Sequence, residues 1–368
     1  MQPLSGLMVL DFTTLLPGPL ATLMLAEAGA EVFKIERPGG EDMRHYEPRF
    51  DGESAMFTLL NRGKKSLVFD LKRDDDRNRL KPLIARADVL VEQFRPGVME
   101  RLGLGYEALH TLNPRLVYCS ITGYGQTGPR AEEAGHDLNY IGNTGLLALN
   151  PGPPDRPVVP PALIADIGGG TLPAVINILL GLRQRDATGE GAHLDIAMTD
   201  AMFSFAAHAL ASGQASGDFP GMGGARLSGG SPRYQLYPTL DGKLVCCAAL
   251  EQKFWLAFTQ AIGLAPKFVD DQPNPLGTRN AVAAIIASRN ADQWQPVFAA
   301  ADCCVSVMAN LQEALRDPHF VARGLFARKV AGPSGLTMPA LPLPIDRQFR
   351  DNPGDLKAVP KLGDEPPH

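Results

Sequence analysis

Apolar positions in the first 125 residues recur in short β-branched runs, separated by stretches with helical spacing. The runs at 8–12 and 31–35 predict strands, and 17–28, opened by Gly18 and Pro19, predicts the helix between them, which makes a βαβ unit. Further strands are expected at 66–71, 88–94 and 116–122, with helices at 76–87 and 98–110. This alternation predicts an α/β fold built on a doubly wound, Rossmann-like parallel sheet, with ligands bound beyond the strand C-termini. Helices at 137–149 and 168–185, a strand at 193–198 and a helix at 199–212 complete a large domain over 1–212.

The stretch 213–232 is Gly-rich and weakly periodic, which predicts an interdomain linker. Beyond it, runs at 234–239 and 243–249 flank Asp241-Gly242, a hairpin signal. Helices follow at 251–262, 278–288 and 311–323. These elements predict a smaller α+β domain over 233–328, and the Pro-rich segment 329–368 is expected to return to the large domain.

With 368 residues, 45% hydrophobic and 20% charged, the chain can bury a core, which rules out a disordered or collagenous protein. The longest apolar stretches, 15–25 and 172–182, are broken by Pro, Gly or Asn, so no membrane partner is expected. The first basic residue is Lys34 and the chain ends Pro-Pro-His, so an untargeted cytoplasmic protein is expected. A net charge of −5 argues against a nucleic-acid partner held by a general basic field, yet allows local basic pockets. The adjacent pairs Cys246-Cys247 and Cys303-Cys304, with lone Cys119, match neither a disulfide framework nor a zinc site.

Gly123-Tyr124-Gly125-Gln126-Thr127-Gly128 satisfies the dinucleotide fingerprint, but it follows the fifth predicted strand rather than the first, and Pro129 stands where a long helix should begin. A Gly-rich turn that brings backbone close to some ligand is the better reading. Nucleophile-elbow, Walker A and His-Glu-x-x-His patterns are absent. Titratable residues gather instead at His136-Asp137, at Asp166 and at Glu251. Each has a plain structural role available. Asp137 and Asp166 can cap helices, and Glu251 can favour a helix start through the dipole. A helix start also presents N–H donors to a developing oxyanion.

Gly-Tyr-Gly-Gln-Thr-Gly-Pro at 123–129, Ala-Gly-His-Asp-Leu-Asn-Tyr at 134–140, Asp-Ile-Gly-Gly-Gly at 166–170, the segment 189–198, the opening Leu4-Ser-Gly-Leu with Leu16-Pro-Gly-Pro, and the tail Leu362-Gly363-Asp364-Glu365 together resemble the family III CoA-transferase superfamily (CaiB/BaiF type). Within it the α-methylacyl-CoA racemases are the most similar branch. The resemblance separates the branches at one position. Transferases carry a nucleophilic Asp in a Gly-Tyr-Asp context, whereas racemases have Gly-His-Asp, as at His136 here. It implies His136 and Asp166 as the two bases, Glu251 as support for the His136 ring, and Asp137 as the transferase nucleophile if that reading held. It further implies an interlocked homodimer, an acyl-CoA substrate of lipid metabolism, and no cofactor beyond the coenzyme A that is part of the substrate.

Inverting a carbon α to a thioester means removing a weakly acidic proton from one face and returning one to the other. Neutral His with protonated Asp and charged His with ionised Asp hold the same number of protons, so each state is ready for one enantiomer. The CoA phosphates call for basic residues at the sheet edge. Arg37, Arg62, Lys65, Arg95 and Arg101 are the candidates, since guanidinium forks match phosphate geometry. Gly123, Tyr124, Gly125, Asn139 and Tyr140 are expected to contact substrate. Met198, Met202 and Phe203 can offer an apolar surface to the acyl chain, though core packing is the stronger reading. The alternatives are a CoA-transferase forming an acyl-enzyme on Asp137 and, more distantly, a nucleotide-dependent oxidoreductase built on the 123–128 turn.

Overall fold

The computed structural model describes residues 2–363; Asp364 and Glu365 lie outside the described residues. In chain order the first elements are β1 (Met8–Asp11), α1 (Pro17–Glu27), β2 (Glu31–Glu36), β3 (Arg49–Phe50), β4 (Glu53–Ser54), α2 (Ala55–Asn61), β5 (Lys65–Val68), α3 (Asp74–Arg86) and β6 (Val89–Glu92). Next come α4 (Val98–Arg101), α5 (Tyr106–Leu112), β7 (Val117–Thr122), α6 (Asp137–Asn143), a π-helical stretch Ala165–Thr171 running into α7 (Leu172–Thr188), β8 (Ala192–Ala197) and α8 (Met202–Phe205). After these follow α9 (Ala207–Ser216), β9 (Tyr234–Pro238), β10 (Leu244–Ala248), α10 (Gln252–Ile262), α11 (Pro275–Ile286), α12 (Ala291–Ala301), β11 (Val305–Val307), α13 (Leu311–Ala314), α14 (Pro318–Ala322), β12 (Lys329–Ala331), β13 (Thr337–Pro339) and β14 (Lys357–Ala358).

Two compact units emerge, and their boundaries differ from those the composition suggests. The first holds the chain through Ile141, Pro161–Ser204 and everything from Pro318 on; the second holds Gly142–Pro160 and Phe205–Asp317. The expected linker 213–232 opens inside α9, so Gly richness there marks turns within the second unit rather than a free tether.

The first unit is built on a six-stranded sheet in the order β5-β2-β1-β6-β7-β8, with every pair parallel. The order reverses between β1 and β6, and that switch point is where open α/β sheets bind ligands. Strands β1, β6 and β7 are buried along their whole length, so they read as continuous apolar runs rather than alternating ones. Helix α1, entered through Pro17 at its first turn, is buried on every side. The helix expected at 98–110 divides into α4 and α5 because Gly103 sits at φ +69°, where a glycine ends a helix without strain.

Residues 165–188 form one continuous helix, long and apolar enough by length and composition to cross a membrane, which counting the apolar run at 172–182 alone overlooked. Ala174, Ile178, Gly181 and Leu182 are buried on it, while Ile176, Leu179 and Leu180 are exposed. In the second unit β9, β10 and β11 make an antiparallel sheet, the first two joined at Asp241-Gly242, over a core of Trp255, Phe258, Trp294 and Phe298. Helix α12, which runs through Pro296, lies where the sequence reading expected no helix. Its start signal was the capping box between Asn290 and Gln293.

Beneath the switch point lies a charge network with almost no solvent exposure. Asp11 and Lys64 pair at 3.0 Å, and Lys34 and Glu41 pair at 2.9 Å. The Lys64 ammonium also donates to Pro19 O, Thr22 Oγ1 and Asn61 Oδ1, and Lys34 donates to Thr13 O. Burial pushes the Lys64 amine down to about 8 against the pull of Asp11; burial also works to raise Asp11, but Lys64 and Lys34 overcome it and hold the acid well below its usual range. Removing one member strands a buried charge. Lys64→Met should therefore destabilise the protein by about 3–5 kcal/mol in urea denaturation, and adding Asp11→Asn should recover part of that loss.

Candidate functional site

The loops after β1, β6, β7 and β8 converge on an open cleft of about 430 Å³ at the C-terminal edge of the sheet. Leu15 and Pro17 follow β1, Gln93 to Pro96 follow β6, Ile121 to Gly123 end β7, and Met198 follows β8. The remaining wall carries His136, Asn139, Tyr140 and Asp166.

His136 stands at the head of α6. Its carbonyl accepts from the N–H groups of Asn139 (2.8 Å) and Tyr140 (3.2 Å), and the Asn139 side-chain oxygen accepts from the His136 N–H (3.1 Å). That closes the helix start on itself and leaves the exposed imidazole free to face the cleft. Tyr140 anchors the same turn. Its hydroxyl donates to Gly135 O at 2.6 Å, and its ring lies where any Cβ at Gly123 or Gly135 would fall, within about 2.6 Å of ring carbon. Glycine at 123 and 135 is thus required by close approach.

Asp137, one residue from His136, is buried and serves a different element from the one expected. Its Oδ1 accepts from the N–H groups of Ala165 (2.7 Å) and Asp166 (3.0 Å), so it caps the π-helical stretch rather than its own helix. That stretch carries Asp166 into the cleft. It can do so because Gly169 and Gly170 let it pack against β8's exit: a Cβ at 169 would lie 2.2 Å from Met198 O, and one at 170 would lie 3.1 Å from both Met198 Cγ and Pro17 Cβ. Asp166 is no cap; it sits inside the first turn. Burial, reinforced by the Asp137 charge and opposed by His136, raises its carboxyl to about 6.

The other candidates scatter. Arg95 lines the cleft, and Arg101 lines an adjoining recess with Gln126 to Pro129. Gly125, at φ +86°, donates to Thr122 Oγ1, and Tyr124 packs edge-on against Tyr140. Arg37, past the C-terminal end of β2, is exposed beside Asp42. Arg62 and Lys65 fall at the opposite edge, Arg62 ahead of β5 and Lys65 as its first residue, which corrects their expected placement. Arg62 is fully buried against Glu27 (2.9 Å) with Leu59 O and Leu341 O as further acceptors, and Lys65 pairs with Glu31 at 2.6 Å. A guanidinium buried against a carboxylate and two backbone carbonyls is not presented to a phosphate in solvent. Glu251 is the N-cap residue of α10 in the second unit and is not among the cleft's lining residues. Met202 is core and Phe203 is exposed. Among the described residues no three His, Cys, Asp or Glu side chains converge as metal ligands.

Sequence reasoning missed Leu15, Pro17 and Gln93. The Gln93 side chain accepts from Gly18 N–H at 3.0 Å, bridging the loops on either side of the switch point; only the strand order reveals that these loops are neighbours.

The sequence profile of CoA-transferase family III matches residues 4–365. The chain belongs to this family. It is 33% identical over 329 residues to alpha-methylacyl-CoA racemase of Homo sapiens, covering 88% of this chain and 82% of that protein. It is 34% identical over 375 residues to acetyl-CoA:oxalate CoA-transferase of Acetobacter aceti, covering 99% and 94%. The crystal structure of a CaiB/BaiF family protein from Brucella suis superposes with a TM-score of 0.79 at 32% identity, covering 100% of this chain and 96% of that one. Family III therefore supplies relatives of both chemistries, at 33% and 34% identity.

For this family III protein the Asp166 environment has a measurable consequence. The folded carboxyl holds its proton to about pH 6, while an unfolded one releases it near 3.8. Between those values the native state binds more protons, so stability falls as pH rises. Asp166→Asn cannot ionise. Between pH 4 and 7 its stability relative to wild type should rise by about 1–2 kcal/mol in urea denaturation.

Proposed function

We propose that the protein is an acyl-CoA racemase (an epimerase) that inverts C2 of 2-methyl-branched acyl-CoA thioesters by two-base proton transfer through an enolate. One observation carries the reading: His136 and Asp166 both line the cleft, whereas Asp137 is buried with its Oδ1 committed to two backbone N–H groups. A raised carboxyl suits an acid that must donate near neutral pH. Neutral His136 removes the proton of the 2S thioester while protonated Asp166 delivers one to the opposite face; for the 2R thioester the roles exchange.

The enolate oxygen needs donors, and we assign them to the start of α6, where the N–H groups of Asp137 and Leu138 precede those that return to the His136 carbonyl. Asn139 keeps its amide NH₂ for the substrate, and Gly123 to Gly125 with Tyr140 border the thioester. Arg37, Arg95 and Arg101, at the sheet's C-terminal edge, take the CoA phosphates. No metal or redox cofactor enters this chemistry. The reading includes a cytoplasmic homodimer in which Glu251 of the partner subunit steadies the His136 imidazolium.

A second reading, CoA transfer through an acyl-enzyme on Asp137, is favoured by the similarity to acetyl-CoA:oxalate CoA-transferase. The two predict opposite orders of sensitivity. Under proton transfer, His136→Ala and Asp166→Ala each slow inversion by about 10²–10⁴-fold, and Asp137→Asn does less, because the amide oxygen still accepts from Ala165 and Asp166. Under transfer, Asp137→Asn is inactive and His136→Ala is mildly affected. Following C2 deuterium exchange and chirality from one enantiomer in D₂O, alongside CoA exchange between free acids, decides between them. Light scattering should return twice the chain mass of 39.5 kDa; a monomer at micromolar concentration rejects the assignment of Glu251.

A further inference from the structure

Among the described residues, Leu15 is the only non-glycine residue lining the cleft that holds a left-handed backbone, at φ +61°. A side chain other than glycine is strained there, so the conformation persists only where surroundings enforce it. The enforcing contact is visible. Glu41 Oε2 accepts from the Leu15 N–H at 3.0 Å, and the same carboxylate pairs at 2.9 Å with fully buried Lys34, whose ammonium also holds Thr13 O two residues upstream. The buried charge network thus aims the Leu15 side chain. One side of it packs against the apolar cluster of Leu20, Met24 and Phe57, and the other faces the cleft shared with His136 and Asp166.

Two bases on opposite faces of C2 leave its alkyl groups to point at apolar walls. Pro17 and Met198 are both engaged in packing against the π-helical stretch, through Gly169 and Gly170. Phe94 packs with the cluster under β6. Of the branched apolar residues that line the cleft, Ile121 is fully buried in β7, whereas Leu15 is partly exposed and fixed at its backbone by Glu41. We propose that Leu15 is a specificity-determining residue, a rigid wall that limits the branch at C2 to about the size of a methyl group. The proposal rests on the proton-transfer reading above.

The test compares kcat/KM for C2 deuterium exchange with a 2-methylacyl-CoA and its 2-ethyl homologue of equal chain length, in wild type, Leu15→Gly, Leu15→Ala and Leu15→Met. Glycine accepts the left-handed φ and keeps the N–H to Glu41, so it removes the wall alone. The ratio of ethyl to methyl activity should rise at least about 10-fold in Leu15→Gly, by less in Leu15→Ala, and stay within about twofold in Leu15→Met, since one methylene in an apolar pocket is worth about 10–200-fold. Should glycine prevent folding, Leu15→Ala alone carries the comparison. An unchanged ratio with methyl activity retained overturns the role of Leu15 and leaves proton transfer standing. Equal loss on both substrates overturns it too, because that marks general positioning. A wild type that exchanges no C2 proton on either substrate removes the proton-transfer reading, and this proposal with it.

Discussion

Two lysines and two carboxylates lie within the first unit with almost no access to water, and the cleft is arranged around that fact. An isolated charge there would be strongly disfavoured, so Asp11, Lys34, Glu41 and Lys64 are stable only with all their partners in place. Those partners come from the ends of β1 and β2, the first turns of α1, and the end of α2. The network therefore fixes how the β1 exit loop leaves the sheet. Thr13 and Leu15 take their positions from it, and all that faces them across the cleft is set against a fixed edge.

A second buried acid does comparable work for the chain's end. Glu27, in the last turn of α1, accepts from Arg62 and from Arg350 at 2.8 Å, which ties the segment after Pro318 to the first unit. The reach is more than 300 residues in sequence. This ion pair also explains why Arg62 is a structural residue: the guanidinium neutralises an acid that folding has removed from water.

Within the cleft, neighbouring residues divide their labour by the direction of one peptide. His136 ends the chain before α6 and points outward; Asp137 begins the helix and points inward, to the backbone of a segment 28 residues away. That inward bond delivers Asp166 and, by placing a second carboxylate near it, helps keep its proton on. The same aspartate that could act as a nucleophile in CoA transfer acts here as a bracket for the other acid. Gly169 completes the arrangement by allowing a helix to lie against the Met198 carbonyl at a distance no side chain permits, and Gly170 relieves a tight approach to the Met198 and Pro17 side chains.

The six strands of the parallel sheet and the hairpin at Asp241-Gly242 were legible in the sequence, and His136, Asp137 and Asp166 stood out there as candidates. Periodicity and turn chemistry are local, and the family motifs are contiguous strings. What the sequence could not reveal was decided by contacts between distant segments. Arg62 and Lys65 stand beside a strand as Arg37 does, but at its start rather than its end, and a one-dimensional pattern does not show which strand terminus shares an edge with the cleft. The boundary of the second unit followed packing rather than glycine content. Leu15 read as one more apolar residue because its left-handed backbone is imposed by Glu41, 26 positions on. Desolvation is the common reason: a buried charge accepts whichever partner the fold brings to it, and those partners, not the local sequence, chose the shape of the site.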